Sequence, residues 1–304
     1  MGSADPGPPA GRARLRVPAT SANLGPGFDS LGLALSLEDT VEAEVLPAGS
    51  ALEVTAEGEG AADVPLDAGH LVVRAMARGF DALGVPVPPP VRLHCTNRIP
   101  HGRGLGSSSA AIVAGLRLVE ALCPGRAYAE GEALELASEL EGHPDNVAPC
   151  LLGGFTVAWT DAGRARAVRL EPSSAVAAVV FVPTVPVSTH FARTLLPERV
   201  PHADAARNAG RAALLVEALT RRPELLLPAT EDRLHQDYRE PAMPASAALV
   251  RLLRADGVAA VVSGAGPTVL ALVPHGSADE VARRAPDGFA ARVLDLQGEG
   301  AGPL

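Results

Sequence analysis

The residues best suited to chemistry lie in a glycine- and serine-rich segment, NRIPHGRGLGSSSAA, at positions 97–111. Gly102, Gly104 and Gly106 precede three serines, and an apolar run typical of a helix follows. A helix N-terminus presents unpaired N–H groups and a partial positive charge, and glycines let the backbone approach an anion closely. The pattern therefore favours a loop that binds phosphate. An ordinary helix capped by a serine of Ser107–Ser109 remains open as the simpler alternative.

Two other polar segments could complete a site with this loop. The segment VPATSANLGPGFDSLGLAL (17–35) sets Asn23 and Asp29 among glycines, although Asn, Pro and Gly also form ordinary turns. The segment ELEGHPDN (139–146) puts Glu141 in the last turn of a predicted helix, where the helix dipole disfavours an anion. Glu141 is therefore a candidate metal ligand, and a solvated terminal glutamate is the alternative.

The basic residues of the chain exclude several kinds of nucleotide or cofactor site. The sequence contains no lysine, because all 26 basic residues are arginine. A Walker A loop, a protein kinase and a pyridoxal enzyme each need a lysine, so none of them can be built from this chain. A Rossmann dinucleotide loop is disfavoured as well. The glycines follow the predicted strand 91–96 too late, and no strand-end acid stands about 20 residues further on.

Composition and charge restrict the partners. The net charge of −9 argues against a nucleic-acid partner held by a basic surface. No apolar run reaches the roughly 18 residues that span a bilayer, so we expect no membrane partner. Cys95, Cys123 and Cys150 form no CxxC pair and are interpreted as core residues of a cytoplasmic protein. The first dozen residues, MGSADPGPPAGR, predict a disordered tail.

Hydrophobic spacing predicts a chain of mixed helices and strands, and the pattern of these elements changes near 165–172. The predicted strands are 13–17, 31–37, 41–46, 51–56, 91–96, 155–160 and 175–182, followed by a strand–turn–strand unit within 257–273. The predicted helices are 70–84, a helix ending near 122, 130–141, 190–196, 205–220 and 246–255. A final helix and strand close the chain. This order indicates an α+β fold with two domains.

Six segments, taken in order, resemble the GHMP kinases, a superfamily of small-molecule kinases, and most closely its members that phosphorylate homoserine. They cover residues 17 to 272 and read PATSANLGPGFDSLGLAL, IPHGRGLGSSSAA, ELEGHPDNVAPCLLGG, VSTHFARTLLP, DRLHQDYR and SGAGPTVLAL. The resemblance implies an N-terminal α+β domain with a left-handed βαβ crossover and a C-terminal ferredoxin-like domain. We place these domains at 13–168 and 169–304, after a tail at 1–12.

The resemblance also implies a reaction, its cofactors and an assembly. The γ-phosphoryl group of ATP would pass to the side-chain hydroxyl of L-homoserine, giving O-phospho-L-homoserine on the route to threonine, and a homodimer is plausible. The residues that would wrap the ATP phosphates are Pro100, His101, Gly102, Arg103, Gly104, Leu105, Gly106, Ser107, Ser108 and Ser109. Ser108 and Glu141 would bind Mg²⁺, a hard cation that prefers oxygen ligands.

The same resemblance assigns the substrate side. Asn23 and Asp29 would grip the amino acid, Arg193 and Arg239 would bind its carboxylate, and His143 and Asp145 would line the pocket. Asn146, Thr189 and Arg193 would act near the transferred phosphate. Mevalonate kinase relatives have an aspartate where this sequence places Asn146, and an amide cannot act as a general base. Positioning and charge neutralisation would then carry most of the rate.

Two alternatives remain open. A GHMP kinase for another alcohol, such as mevalonate, would share the phosphate loop, although an acid and two arginines together suit an amino acid better. A nucleotide-binding relative without catalytic activity would share the whole pattern and would bind Mg-ATP without turnover.

Overall fold

The computed structural model describes residues 7–304, which form two β-sheets with helices packed against them. Residues 1–6 of the predicted tail lie outside the described residues. The remainder of that tail joins the fold earlier than predicted. The N–H of Ala10 donates to the carbonyl oxygen of Leu122 at 2.9 Å, and the first strand begins at Arg12.

The first sheet has seven strands in the order β11-β1-β2-β4-β3, with β5 paired to β2 and β6 paired to β5. Its strands are β1 (Arg12–Ala22), β2 (Leu31–Val45), β3 (Glu53–Gly58), β4 (Val91–Asn97), β5 (Phe155–Asp161), β6 (Arg164–Leu170) and β11 (Gly302–Pro303). β3 and β4 are parallel and the other pairs are antiparallel. The connection between β3 and β4 therefore forms a βαβ unit through the first helix.

Four helices pack in this half of the chain: α1 (Leu71–Ala82), α2 (Ser107–Leu122), α3 (Glu132–Glu141) and α4 (Pro144–Leu152). α2 is the central one, and Ile112, Val113, Leu116 and Val119 along it are fully or almost fully buried. Gly115 lets α1 approach closely, because a side chain there would meet the carbonyl oxygen of Val72 at 2.5 Å. The packing holds the start of α2, and hence the glycine-rich loop, in a fixed place.

The second sheet is antiparallel, with the strand order β10-β7-β9-β8. Its strands are β7 (Val176–Pro183), β8 (Ala259–Val262), β9 (Val269–Pro274) and β10 (Phe289–Leu294). The helices of this half are α5 (Thr189–Thr194), α6 (His202–Thr220), α7 (Leu226–Ala229), α8 (Gln236–Arg239), α9 (Pro244–Ala255) and α10 (Ala278–Ala282). The strand order is that of a ferredoxin-like sheet, as expected.

Several elements differ from the sequence-based prediction, among them the short α7, α8 and β11, which were not predicted. The separate strands 31–37 and 41–46 are one 15-residue strand, β2. β6 was not predicted, because its segment RARAVRL carries three arginines and its alternating apolar positions begin with alanine, a weak strand former. α4 was not predicted either, because Pro144 and Pro149 indicate a turn; Pro144 occupies the first turn of the helix, where the missing N–H costs nothing.

The predicted division at 168/169 remains a prediction, although two strands bear on it. β6 continues to Leu170, and β11, near the end of the chain, pairs with β1 of the first sheet. Within residues 7–304 no helix is long and apolar enough to cross a membrane. Cys95, Cys123 and Cys150 are buried free thiols in the described chain, as predicted.

Candidate active site

A cavity of about 270 Å³ lies where the glycine-rich loop, the turn after β1 and the helices α4, α5 and α8 meet. Its lining residues are Asn23, Gly102, Gly104, Gly106, Ser107, Ser108, Glu141, His143, Asp145, Asn146, Thr189, Arg193, Arg239, Gly264 and Ala265. Residues that are far apart in sequence, from all the segments with candidate chemistry, therefore surround one space.

The first helical turn of α2 faces this loop without a side-chain cap among the described residues, which contradicts the alternative of a helix capped by a serine. Gly106 is the N-cap, with a left-handed φ of 71°. The hydroxyls of Ser108 and Ser109 instead donate to Oε1 of Glu141, at 2.7 and 2.8 Å. The N–H groups at the start of α2 consequently remain available to an anion.

Glycine is required in the loop for two separate reasons. Gly104 and Gly106 have φ values of 76° and 71°, which favour glycine. A side chain on Gly104 would also collide with the carbonyl oxygen of Ser263 and meet that of Gly266 at 2.8 Å. The Ser263 hydroxyl donates to the Gly104 carbonyl oxygen at 2.6 Å, so the loop docks on the 263–268 turn.

The other predicted loop residues have different positions. Pro100, Leu105 and Ser109 are buried beneath the loop, and His101 lines a second cavity. The Arg103 guanidinium, predicted to help wrap the ATP phosphates, donates to the carbonyl oxygens of His101, Pro183 and Thr184. It therefore braces the loop against the end of β7 and is not among the residues that line the first cavity.

Glu141 and Ser108 meet at the wall of the cavity and offer one carboxylate and one hydroxyl. Oxygen donors of this kind fit Mg²⁺, which usually takes one or two protein ligands together with substrate phosphates and water. No cluster of three or more His, Cys, Asp or Glu side chains that could hold a metal occurs in residues 7–304. The donor set thus fits a cation that shares its ligands with a nucleotide.

The turn after β1 is held by Asn23. Its Nδ2 donates to the Gly264 carbonyl oxygen at 2.8 Å, and its Oδ1 accepts the N–H of Asp29 at 2.9 Å. Asn23 and Asp29 both have left-handed φ values, 67° and 53°. The Asn23 amide is thus committed to the backbone, and its effect is to present Asp29.

Asp29 and Arg193 form a bidentate ion pair, with N–O distances of 2.7 and 3.1 Å, and of the two only Arg193 is among the residues that line the cavity. The hydrogen bond to Asp29 raises the pKa of Arg193. The Arg193 guanidinium also lies over the ring of Phe28, 5.8 Å from its centroid. The two groups predicted to bind opposite ends of an amino acid therefore neutralise each other here.

Arg239 is in a different environment, because only 1% of it is exposed and its contacts are uncharged. One terminal nitrogen lies 3.0 Å from Nδ1 of His235 and 3.3 Å from the Gly264 carbonyl oxygen. In the described chain no carboxylate hydrogen-bonds to it, and its Nε has no partner. Burial, and then the charge of Arg193, lower the pKa of Arg239. It is a buried cation that lines the cavity without a bonded anion.

The start of α4 supplies the remaining polar groups. His143 Nδ1 lies 2.5 Å from Oδ1 of Asp145, which is almost fully buried. Burial lowers the pKa of His143, but the hydrogen bond and charge of Asp145 outweigh it, so the net direction is upward. Asn146 Oδ1 accepts the hydroxyl of Thr20 at 2.9 Å. Thr189, at the start of α5, lies at the exposed rim of the cavity.

A second cavity, of about 230 Å³, adjoins the other side of the loop and shares Ser107 and Ser108 with the first. Its wall is largely apolar and includes Asp39 of β2. Oδ1 of Asp39 accepts the N–H groups of Arg98 and Ile99 at 2.6 and 2.9 Å, and burial raises its pKa to about 6. Sequence reasoning missed this residue, although an aspartate inside an apolar strand is a usable signal.

Comparisons with known proteins agree with this arrangement. The GHMP kinase N-terminal domain family matches residues 70–154, and the GHMP kinase C-terminal family matches residues 205–291. A homoserine kinase of Streptomyces avermitilis is 60% identical, over 97% of this chain and 96% of that protein. A homoserine kinase of Clavibacter michiganensis subsp. michiganensis is 54% identical, over 86% of this chain and 82% of its own length.

Solved structures show the same fold. A homoserine kinase from Cytophaga hutchinsonii superposes with a TM-score of 0.85 at 26% identity, covering 96% of this chain and 97% of its own. A putative homoserine kinase from Listeria monocytogenes has a TM-score of 0.77 at 33% identity and covers 96% and 98%. The chain belongs to the GHMP kinases and, within them, to the homoserine kinase family.

Proposed function

We propose that the protein transfers the γ-phosphoryl group of ATP to the side-chain hydroxyl of L-homoserine, forming O-phospho-L-homoserine in the biosynthesis of threonine. One observation carries the proposal. A single cavity is lined by the uncapped start of α2, by the buried guanidinium of Arg239 and by Arg193, whose ion-pair partner is the carboxylate of Asp29. The start of α2 complements a phosphate, Asp29 complements an ammonium and Arg239 complements a carboxylate. The homoserine kinases that match nearly the whole chain support the same substrate.

The nucleotide is assigned to the two cavities on either side of the loop. Phosphate oxygens would accept N–H groups from the start of α2, where the helix dipole also favours negative charge. The base would enter the second, more apolar cavity, which borders Ser107 and Ser108. This arrangement explains how a chain without lysine can hold a triphosphate.

Mg²⁺ is assigned to Ser108 and Glu141. When bound, the ion would neutralise charge on the β- and γ-phosphates. The hydroxyls of Ser108 and Ser109 donate to Oε1 of Glu141 and so hold the two proposed oxygen donors, Ser108 and Glu141, next to each other.

The amino acid would bind by its two charges. Arg239 would take the carboxylate, because a buried cation without an anion gains most from one. Asp29 would take the α-ammonium and release Arg193 toward the transferred phosphate or the carboxylate. Both ends of homoserine are then fixed, which leaves the side-chain hydroxyl in the region of Asn146 and Thr189.

Phosphoryl transfer would depend mainly on position and charge. The amide of Asn146 cannot remove a proton, and its Oδ1 already accepts the Thr20 hydroxyl. The start of α2 and Arg193 would stabilise charge on the transferred group, as a loose transition state requires. His143 and Asp145 would shape the pocket around the acceptor.

An ADP-release assay with a panel of alcohols tests the proposal. Turnover with L-homoserine, and not with mevalonate or simple alcohols, is the expected result. Turnover only with mevalonate would refute the homoserine assignment. Mg-ATP binding by calorimetry without turnover of any alcohol would favour an inactive relative. The homodimer remains a prediction from the resemblance, and sedimentation velocity tests it. The cytoplasmic location, inferred from the cysteines, and the division at 168/169 also remain predictions.

A further inference from the structure

His235 is a buried residue that the proposed function leaves without a role. It precedes α8, four residues before Arg239, and is 0% exposed. Its Nε2 lies 2.8 Å from the carbonyl oxygen of Gly25, and its Nδ1 lies 3.0 Å from a terminal nitrogen of Arg239. A carbonyl oxygen can only accept, and a guanidinium can only donate. Nε2 therefore carries the proton, Nδ1 offers its lone pair, and the imidazole is neutral.

The two partners of His235 belong to different elements of the chain. Gly25 lies in the turn that presents Asp29, whereas Arg239 comes from α8. The ring of Phe28, also in that turn, packs on the imidazole at 5.2 Å between centroids, and Arg239 lies over the same ring at 5.4 Å. His235 thus connects the turn that presents Asp29, the group proposed for the ammonium, with Arg239, the group proposed for the carboxylate.

A neutral acceptor suits this position better than a carboxylate would. An acid hydrogen-bonded to Arg239 would orient the guanidinium, but it would also cancel the charge that an incoming carboxylate needs. The nearest acid to His235 is Asp232, whose Oδ2 lies 3.7 Å from Nε2. The Asp232 carboxylate is occupied by the N–H groups of Leu234, His235 and Gln236. Arg239 therefore keeps its charge toward the cavity.

We propose that His235 is a positioning residue: as a neutral imidazole it orients Arg239 and fixes it relative to the Asp29 turn, and so sets the affinity for an α-amino-acid acceptor. The inference rests on the proposed function, because it assumes that Arg239 receives the substrate carboxylate. The effect belongs to the KM of the amino acid and not to the KM of ATP, whose loop His235 does not contact.

Two substitutions test the roles of the two ring nitrogens one at a time. In His235→Asn the amide oxygen can occupy the place of Nδ1 and still accept from Arg239. In His235→Gln the amide reaches the place of Nε2, keeps the bond to Gly25 and loses the acceptor for Arg239. Thr230→Val is the matched control, because Thr230 is also buried and its carbonyl packs against Gly25.

The experiment measures the KM of L-homoserine and of ATP, kcat and the melting temperature for the wild type and the three variants. We expect His235→Gln to raise the KM of L-homoserine about tenfold or more, and to leave the KM of ATP within about twofold. The increase in the KM of L-homoserine caused by His235→Asn should be several-fold smaller than the increase caused by His235→Gln. Thr230→Val should lower the melting temperature, and it should change the KM of L-homoserine and the KM of ATP by similar factors.

Three results would overturn the inference: an unchanged KM of L-homoserine in His235→Gln, parallel increases in both KM values, or a His235→Asn variant impaired as strongly as His235→Gln. If His235→Gln is too unstable to assay, His235→Ala, which removes both hydrogen bonds, takes its place: it must raise the KM of L-homoserine more than His235→Asn does and leave the KM of ATP within about twofold. Wild-type turnover of L-homoserine is measured first. If the wild type does not turn over L-homoserine, the proposed function is refuted. If the wild type is active but the variants change the KM of L-homoserine and the KM of ATP by the same factor, only the role of His235 is refuted.

Discussion

At the scale of single residues, the two arginines of the cavity are not equivalent. Arg193 is paired with Asp29, whereas in the described residues Arg239 hydrogen-bonds His235 and a backbone carbonyl oxygen and lies over the ring of Phe28. Burying a cation without a bonded anion is costly, and binding of an anionic ligand offsets that cost. Under the proposed function, Arg239 therefore favours substrate binding and disfavours stability.

Arg239→Leu should weaken substrate binding without lowering the stability of the protein. We expect the KM of L-homoserine to rise by about two orders of magnitude, because a buried charge partner of the carboxylate is lost. We also expect an unchanged or higher melting temperature, because the unpaired cation is removed. Steady-state kinetics and thermal unfolding measure the two effects. Arg251→Leu, which breaks only the exposed pair with Glu240, is the control; unchanged kinetics in Arg239→Leu would contradict its role.

Asp39 gives a prediction about pH. Its pKa is raised from 3.8 to about 6 by burial, so the folded state disfavours the charged form. The cost is absent below the unfolded pKa, grows as the pH rises toward 6 and is complete above it. Asp39→Asn should therefore stabilise the protein at pH 7.5, by at most about 3 kcal/mol, and very little at pH 4. Urea unfolding of both proteins at the two pH values measures this difference; an equal difference at both would refute the assignment.

At the scale of elements, the glycine-rich loop depends on its contact with the 263–268 turn. Gly104 contacts the backbone of that turn, whereas a side chain on Gly102 would meet only Pro186, at 3.5 Å, within the described chain. Both glycines have positive φ, at 76° and 63°. The two positions therefore share backbone strain and differ in steric contact.

We expect Gly104→Ala to raise the KM of ATP at least about tenfold more than Gly102→Ala does. Each substitution costs about 1 kcal/mol through its left-handed backbone, so the comparison cancels that cost. The remaining difference comes from displacement of the loop by the backbone of Ser263 and Gly266. Kinetics with varied ATP measure it, and equal effects of the two variants would contradict the docking argument.

The last turn of α3 gives a prediction about Mg²⁺. Glu141→Gln removes the carboxylate charge but keeps an acceptor for Ser108 and Ser109. The Mg²⁺ concentration for half-maximal activity should rise about tenfold or more, with little change in the melting temperature. Glu139→Gln, an exposed residue of the same helix, is the control. Equal Mg²⁺ dependence in the two variants would remove Glu141 from the metal site.

At the scale of the whole molecule, the end of the described chain is part of the first sheet. β11 pairs with β1, and the N–H of Ala301 donates to the Cys150 carbonyl oxygen at 2.7 Å. Gly300 packs directly on the backbone of Leu151, with no space for a side chain. These contacts fasten α4, the helix that carries Asp145 and Asn146, from the side opposite to the cavity.

Gly300→Val should therefore lower both stability and activity. A displaced backbone costs about 1 to 3 kcal/mol, and the shift acts on α4. Gly276→Ala is the control, because a side chain at Gly276 meets nothing within 4 Å in the described structure. Thermal unfolding and kcat measure the result; a variant as stable and active as the control would show that this contact is not needed.

Part of this organisation could be predicted from the sequence, and part could not. The order of α2 after the glycine loop and the ferredoxin-like strand order follow from local patterns and from the resemblance, because they depend on spacing along the chain. The ion pair of Asp29 with Arg193 depends on contacts between residues 164 positions apart. The buried acceptor Asp39 and the proline-containing α4 were also missed, because tertiary burial decides both.

The Asp29–Arg193 pair also determines which ligands the cavity favours. The Asp29 carboxylate and the Arg193 guanidinium already contact each other, so a charged ligand would exchange with an internal competitor. Under the proposed function, a zwitterion could replace both halves of the pair and leave neither ion without a partner. A ligand with a single charge would leave one member of the pair without its partner. Both side chains are about one third exposed, so the resulting preference for a zwitterion is modest.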